Sequence, residues 1–235
     1  MGEPTSPTHD RWRLVLASAS PRRAELLARL DLAPQIRPAD IDETPQVGEA
    51  PPQLVARLAA AKARAASRGD DAEIVLAADT TVALDGVALG KPHDEADAAA
   101  MLRRLSGRTH AVHTAVAVRR GDTEVAAMAT TEVTFRALSD TEVAWYVATG
   151  EPRDKAGAYA LQGAGAALVA TISGADTTVI GLPLTTTVEL LGRVGVEVLR
   201  APASQAAAGE QPVHEQPVHQ QPVHEQPVHD QPVRR

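Results

Sequence analysis

Two serines and two arginines crowd into Ser18-Ala19-Ser20-Pro21-Arg22-Arg23, where an apolar run meets a helix start. Ser20 suits the N-cap, and Pro21 suits the first helical position, where its missing N–H costs nothing. Arg22 and Arg23 are the anomaly, because cations in a first turn oppose the helix dipole by roughly 0.3–1 kcal/mol each. A bound anion would reverse that penalty, and the unpaired N–H groups of the same turn would help to hold it. The stretch therefore reads either as a phosphate cradle or as two solvated arginines on a surface helix. Further on, Asp40-Ile41-Asp42-Glu43-Thr44 gathers three carboxylates, hard oxygen donors that could share a divalent metal with phosphate oxygens or form a solvated loop. Lys62, Asp79 and Lys91 complete the set of charged residues that stand in otherwise apolar or glycine-rich surroundings.

The elements that must position these residues follow from periodicity. Leu14–Ala17 predicts a short buried strand, and Leu26, Leu27 and Leu30 recur at helical spacing after it. Gln35-Ile36-Arg37 predicts another short strand. Pro51–Ser67 predicts a helix with apolar positions Leu54, Val55, Leu58, Ala61 and Ala65, and with Lys62 on the edge of that stripe. Such a lysine either snorkels past the core or brings its ammonium into a cleft. The unbroken run Ile74–Leu84 predicts a buried central strand with Asp79 where the strand emerges, as a functional carboxylate or an Asx-turn. Gly86-Val-Ala-Leu-Gly90-Lys91-Pro92 misses the P-loop pattern: its glycines are one residue too close, and Pro92 replaces the magnesium-binding hydroxyl. Lys91 can still reach a phosphate as a point charge.

Asp94 predicts a cap for a helix through Leu105 that Gly107 ends. Val112–Val118 and Val125–Phe135 predict an antiparallel hairpin around Arg120-Gly121-Asp122. Ser139 and Glu142 form a capping box, with Leu138 and Val143 as its staple. Gly150–Gly163 mixes charge with small residues, as a closely packed loop or short helix would. Leu168–Ile172 predicts a last strand and Pro183–Leu191 a last helix.

The 235 residues carry a formal net charge of -7, which argues against a nucleic-acid polymer as partner. The chain has no cysteine, so disulfides and thiolate chemistry are excluded while the compartment stays open. No apolar run approaches the ~20 residues of a membrane span and no signal peptide opens the chain, so a cytoplasmic protein without membrane contact is the default. With aromatics at 2%, the core must be built from Ala, Val and Leu. Residues 1–11 are polar and expected to fray, and residues 12–200 have the size of one domain. Residues 201–235 predict a disordered tail, in which QPVHE-type repeats place proline at every fifth position from Gln211. Its four histidines, His214, His219, His224 and His229, read as a weak metal site or as part of a solvated spacer.

Five stretches in order, LASASPRR, AADTTV, GKP followed by MLRRLSGRTHAVHT, GEPRDKAGAYALQG and VIGLPL, resemble the motifs of the Maf family of nucleotide pyrophosphatases. They span Leu14 to Leu184. The resemblance, with the elements above, implies a single α/β domain: a mixed twisted sheet flanked by helices around a deep cleft. It implies hydrolysis of a nucleoside triphosphate between the α and β phosphates, with a divalent cation, Mg2+ or Mn2+, as cofactor. Asp79 would be the general base, Lys62, Lys91 and Glu43 its catalytic companions, and Glu43 and Asp79 the metal ligands. Ser18, Arg22, Arg23, Thr80 and Gln162 would bind substrate, with Arg22, Thr80 and Gln162 choosing the base. The DKAGAY…QG pattern resembles the branch associated with dTTP and UTP, and the amide of Gln162 can donate and accept as the imide edge of uracil or thymine requires. Three alternatives follow from the same resemblance: action on 7-methyl-GTP, action on another non-canonical nucleotide, or non-catalytic nucleotide binding in regulation of septum formation. A homodimer is compatible with it. Ala160 departs from the glycine common at that position, and the repeat tail has no counterpart in the family pattern.

Overall fold

The computed structural model describes residues 12–199, so the expectations for the N-terminal extension and the repeat tail lie outside the described residues. Seven strands form one mixed sheet: β1 (Arg13–Leu16), β2 (Gln35–Ile36), β3 (Glu73–Leu84), β4 (Val87–Leu89), β5 (Thr109–Arg120), β6 (Thr123–Phe135) and β7 (Val169–Ser173). The order across the sheet is β2-β1-β3-β5-β6-β7, with β4 added to β3. β1 is parallel to both β2 and β3, and every other pairing is antiparallel. Six helices flank it: α1 (Pro21–Ala28), α2 (Pro51–Ala66), α3 (Glu95–Leu105), α4 (Asp140–Ala148), α5 (Asp176–Ile180) and α6 (Leu184–Arg193). No helix among the described residues is long and apolar enough to cross a membrane.

Side chains alternate across the pleat of a strand, and β3 uses the alternation to serve three cores. Val75 and Ala77 meet Val55, Ala59 and Ala63 of α2 on one face. Ile74, Leu76 and Ala78 turn the other way, into a cluster with Leu26 and Leu27 of α1 and Leu190 and Leu191 of α6. Farther along that second face, Val82 and Leu84 join Leu102 and Leu105 of α3 and Val143 and Tyr146 of α4. Thr80 falls on the face between these last two clusters, and Asp79 falls on the α2 face.

The expected capping box holds: Ser139 Oγ accepts from Glu142 N at 3.3 Å, and Ser139 N donates to Glu142 at 2.8 Å. The expected hairpin is longer than its apolar core, with Arg120 opposite Thr123 across the turn. Three expectations need correction. Asp79 does not sit where the strand emerges but inside it: β3 runs to Leu84 as its apolar run predicts, because β5 keeps pairing with it through Ala83. Lys62 is not on the edge of the α2 stripe but inside it: the buried face is Leu54, Val55, Leu58, Ala59, Lys62, Ala63 and Ala66, while Ala65 is exposed. Ser20 holds the N-cap position without a side-chain cap bond; the local serine bond runs from Ser20 N to Ser18 Oγ at 3.2 Å. β4 and α5 were not foreseen, being too short to show a period.

Candidate active site

The edge of β3 that faces β1 is where the site opens. β1 pairs with β3 only as far as Leu76, with one more bond from Ala17 N to Leu76 O at 2.8 Å. β4 takes up the same edge from Val82. Between them Asp79, Thr80 and Thr81 line a cleft of about 720 Å³. This is where the neighbour of a strand changes, the usual place for a ligand in an open sheet.

Asp79, on the α2 face, meets Lys62 from α2. Lys62 Nζ lies 2.6 Å from Asp79 Oδ1 and 2.8 Å from Glu43 Oε1, so one ammonium holds both carboxylates. Lys62 and Asp79 are buried, and Glu43 brings its charge in from the loop before α2. Burial raises the pKa of Asp79 above the ordinary carboxylate value, and the charges of Lys62 and Arg23 only partly oppose that rise. A carboxyl so placed is a better proton acceptor than a free aspartate.

On the opposite face of β3 a directed chain of hydrogen bonds leads away from Thr80. Arg23 donates through Nε to Gly181 O at 2.9 Å, through Nη1 to Ser18 Oγ at 3.0 Å and through Nη2 to Thr80 Oγ1 at 3.3 Å. Thr114 Oγ1 donates to Thr178 O at 2.7 Å. Its bond with Thr80 Oγ1, at 2.9 Å, must therefore carry the Thr80 hydrogen. Arg23, Thr80 and Thr114 thus stand in a fixed donor order that ties α1 to the middle of α5. Burial pulls the Arg23 guanidinium below its ordinary value, against the opposing charge of Asp79. Arg23 keeps two N–H groups beyond its three bonds.

The remaining expected residues line the rim. Arg22 reaches into the cleft with Nη1 3.5 Å from Asp154 Oδ2, and Lys155 also pairs with Asp154. Lys91 and Gln162 are exposed and line the same cleft. Gly157 N donates to Gly90 O at 3.0 Å, which fastens the Lys91 turn to the segment after Lys155. All nine residues expected at the site, Ser18, Arg22, Arg23, Glu43, Lys62, Asp79, Thr80, Lys91 and Gln162, lie on this one cavity.

Three contributors were not singled out beforehand. Asp154 and Tyr159 line the cleft and sit inside the GEPRDKAGAYALQG stretch, which was the available signal. Thr114 had none, because a threonine in an apolar strand looks like any core position. Among the described residues no three His, Cys, Asp or Glu side chains cluster to hold a metal. Asp79 and Glu43 nevertheless suit one, since Mg2+ usually takes one or two carboxylates and fills its shell with water and substrate phosphates.

The family described as Maf-like protein matches residues 13–194. The dTTP/UTP pyrophosphatase of Myxococcus xanthus (strain DK1622) is 56% identical over 187 residues, covering 80% of this chain and 95% of the relative. That of Anaeromyxobacter dehalogenans (strain 2CP-1) is 56% identical over 187 residues, covering 78% and 94%. The Symbiobacterium thermophilum protein of the same name is 50% identical over 186 residues, covering 79% and 96%.

Proposed function

The chain belongs to the family of Maf-like proteins, and from that premise we propose that it hydrolyses dTTP and UTP to the monophosphate and pyrophosphate. The observation that carries this reading is the Lys62 ammonium bridging Asp79 and Glu43 at the open edge of β3, in a cleft that also receives Arg22, Arg23 and Lys91. A triphosphate brings several negative charges, and this cleft answers with five cationic side chains, Arg22, Arg23, Lys62, Lys91 and Lys155, against three carboxylates, Glu43, Asp79 and Asp154.

Asp79 accepts the proton of the attacking water, a task favoured by its raised pKa. The bridging oxygen between the α and β phosphates departs with pyrophosphate. Lys62 keeps Asp79 and Glu43 side by side, and Lys91 and Arg22 face the phosphates from the rim. Arg23 acts chiefly by holding Ser18 and Thr80 in place. A Mg2+ or Mn2+ ion held by Asp79 and Glu43 would offset charge on the phosphates and on the leaving pyrophosphate. Gln162 reads the imide edge of the pyrimidine, donating to one carbonyl and accepting from the N–H.

The test is a panel of nucleoside triphosphates, 7-methyl-GTP included, assayed for pyrophosphate release with Mg2+ or Mn2+. Release is expected fastest from UTP and dTTP and only with a divalent cation. A preference for 7-methyl-GTP would overturn the pyrimidine assignment, and nucleotide binding without release would overturn the enzymatic one.

A further inference from the structure

The turn that carries Gln162 is held by two residues outside the cleft. Tyr146, in α4, is fully buried, and its hydroxyl donates to Glu151 Oε1 at 2.6 Å. The same hydroxyl accepts from Ala160 N at 3.0 Å, two residues before Gln162. Glu151 then accepts from Ala164 N at 2.9 Å and from Gly165 N at 3.1 Å, two and three residues after Gln162. One phenol and one carboxylate therefore grip the backbone on both sides of a single exposed glutamine. The grip is close enough to dictate glycine beside it. A Cβ on Gly163 would collide with the Glu151 carboxylate, and one on Gly165 would come within 2.6 Å of the Tyr146 hydroxyl. Hydrogen bonds from Tyr146, Gly165 and Ala164 outweigh the upward push of burial on Glu151 and keep its carboxyl below the ordinary value, so at neutral pH it is an acceptor only.

We propose that Tyr146 and Glu151 are positioning residues for base selection: they fix the 160–165 turn so that Gln162 meets the pyrimidine at one distance and angle. This rests on the assignment of Gln162 as the base reader. The side chain of Gln162 makes no hydrogen bond to another described residue, so its placement depends on how firmly its backbone is held. Discrimination by hydrogen bonding requires such placement, because a donor displaced by about 1 Å costs much of its advantage. Neither residue itself lines the cavity, and the one lining residue that either bonds is Ala160, on the base side with Gln162, so their loss should leave phosphate handling alone.

The experiment compares Tyr146→Phe, Glu151→Ala and Glu151→Gln with wild type by two readouts. The first is amide hydrogen exchange over residues 160–168. The second is the ratio of kcat/KM for UTP to that for GTP, with inhibition by inorganic pyrophosphate as the phosphate control. Tyr146→Phe keeps the ring in the core and deletes one hydroxyl. It is expected to speed exchange in the turn, lower the UTP:GTP ratio about tenfold and leave pyrophosphate inhibition unchanged. Glu151→Ala should do the same, and Glu151→Gln should restore part of the ratio because its amide oxygen still accepts. Unchanged exchange in folded Tyr146→Phe would overturn the grip itself. Faster exchange with an unchanged ratio would overturn its role in selection. A wild type indifferent to the base would instead sink the Gln162 assignment and this proposal with it, an outcome distinguishable from failure of the grip alone.

Discussion

At Asp79 two influences meet: burial pushes its carboxyl up, while Lys62 and Arg23 pull it back. The folded chain keeps Asp79 protonated to a higher pH than the unfolded chain does, so ionising it works against folding. Stability from this group is fully present below its unfolded value and is lost as pH rises through its folded one. Asp79→Asn should therefore melt no lower than wild type at neutral pH while losing about 10²–10⁴-fold in pyrophosphate release. Near-normal turnover by the folded variant would remove Asp79 from the mechanism. At the rim, Gln162→Ala is expected to lower kcat/KM for UTP and dTTP by about five- to hundred-fold, with GTP much less affected. Lys91→Ala should slow all three alike, and equal losses from Gln162→Ala on UTP and GTP would show that Gln162 does not read the base. The charged members of the site were legible in the sequence for separate reasons: Lys62, Asp79 and Lys91 interrupt apolar or glycine-rich patterns, Arg22 and Arg23 oppose the dipole of the helix they open, and Glu43 stands in a run of carboxylates. Thr114 was not, since a threonine in an alternating apolar strand looks like core, and Tyr159 had only the GEPRDKAGAYALQG stretch around it as a signal.

The elements of the site are held in register from outside it. Arg37, just past β2, makes a two-pronged pair with Glu73 at the start of β3, Nη1–Oε2 at 2.8 Å and Nη2–Oε1 at 2.7 Å. Its Nη1 also donates to Ala66 O at the end of α2, 3.1 Å away. One guanidinium thus ties together the strand that carries Asp79 and the helix that carries Lys62. Arg37→Ala should cost about 1–2 kcal/mol in a denaturant melt, with Arg37→Lys recovering only part, because an ammonium cannot match both oxygens. A loss indistinguishable from zero would mean that the joint is ornamental. Bonding to Arg37 holds the Glu73 carboxyl below its ordinary value, so this contribution is present above the unfolded pKa of glutamate and is lost as pH falls through the lower folded value. Periodicity gave β3 and α2 almost to the residue, because each has a long buried face. It failed at α5, whose five residues include two threonines, and at Gly157 and Ala158, both at positive φ of 69° and 60°. Nothing in an alanine announces a left-handed backbone; tertiary packing imposes it.

Among the described residues three apolar clusters enclose the sheet, and from Gln211 the sequence repeats proline-bearing pentads without apolar periodicity. A chain cut after Ala203 is therefore expected to match full-length protein in turnover and in Tm. A Tm lower by more than a few degrees would show that the removed residues contribute to the fold. The sequence pattern yielded strands and helices but not the order β2-β1-β3-β5-β6-β7, because apolar runs say that a strand is buried without saying beside which neighbour. The single most informative topological fact, that β1 stops pairing at Leu76 and β4 begins at Val82, is of this kind.

The bond from Arg23 to Gly181 joins residues 158 apart, whereas Lys62 and Asp79 are 17 apart and β5 turns into β6 across two residues. Chain order makes this a timetable. Closing a long loop is slower than closing a short one, and a nascent chain cannot use residues not yet synthesised. The carboxylate half of the cleft can assemble once β3 is made, but the arginine half must wait for nearly the whole domain. On refolding, the sheet should therefore regain its far-UV signal before the protein regains affinity for pyrophosphate. Simultaneous recovery of the two signals would show that the halves form together. A chain stalled before Gly181 would hold the acidic pair and Arg23 but lack the carbonyl that receives the Arg23 Nε–H, so an unfinished molecule would have no working cleft.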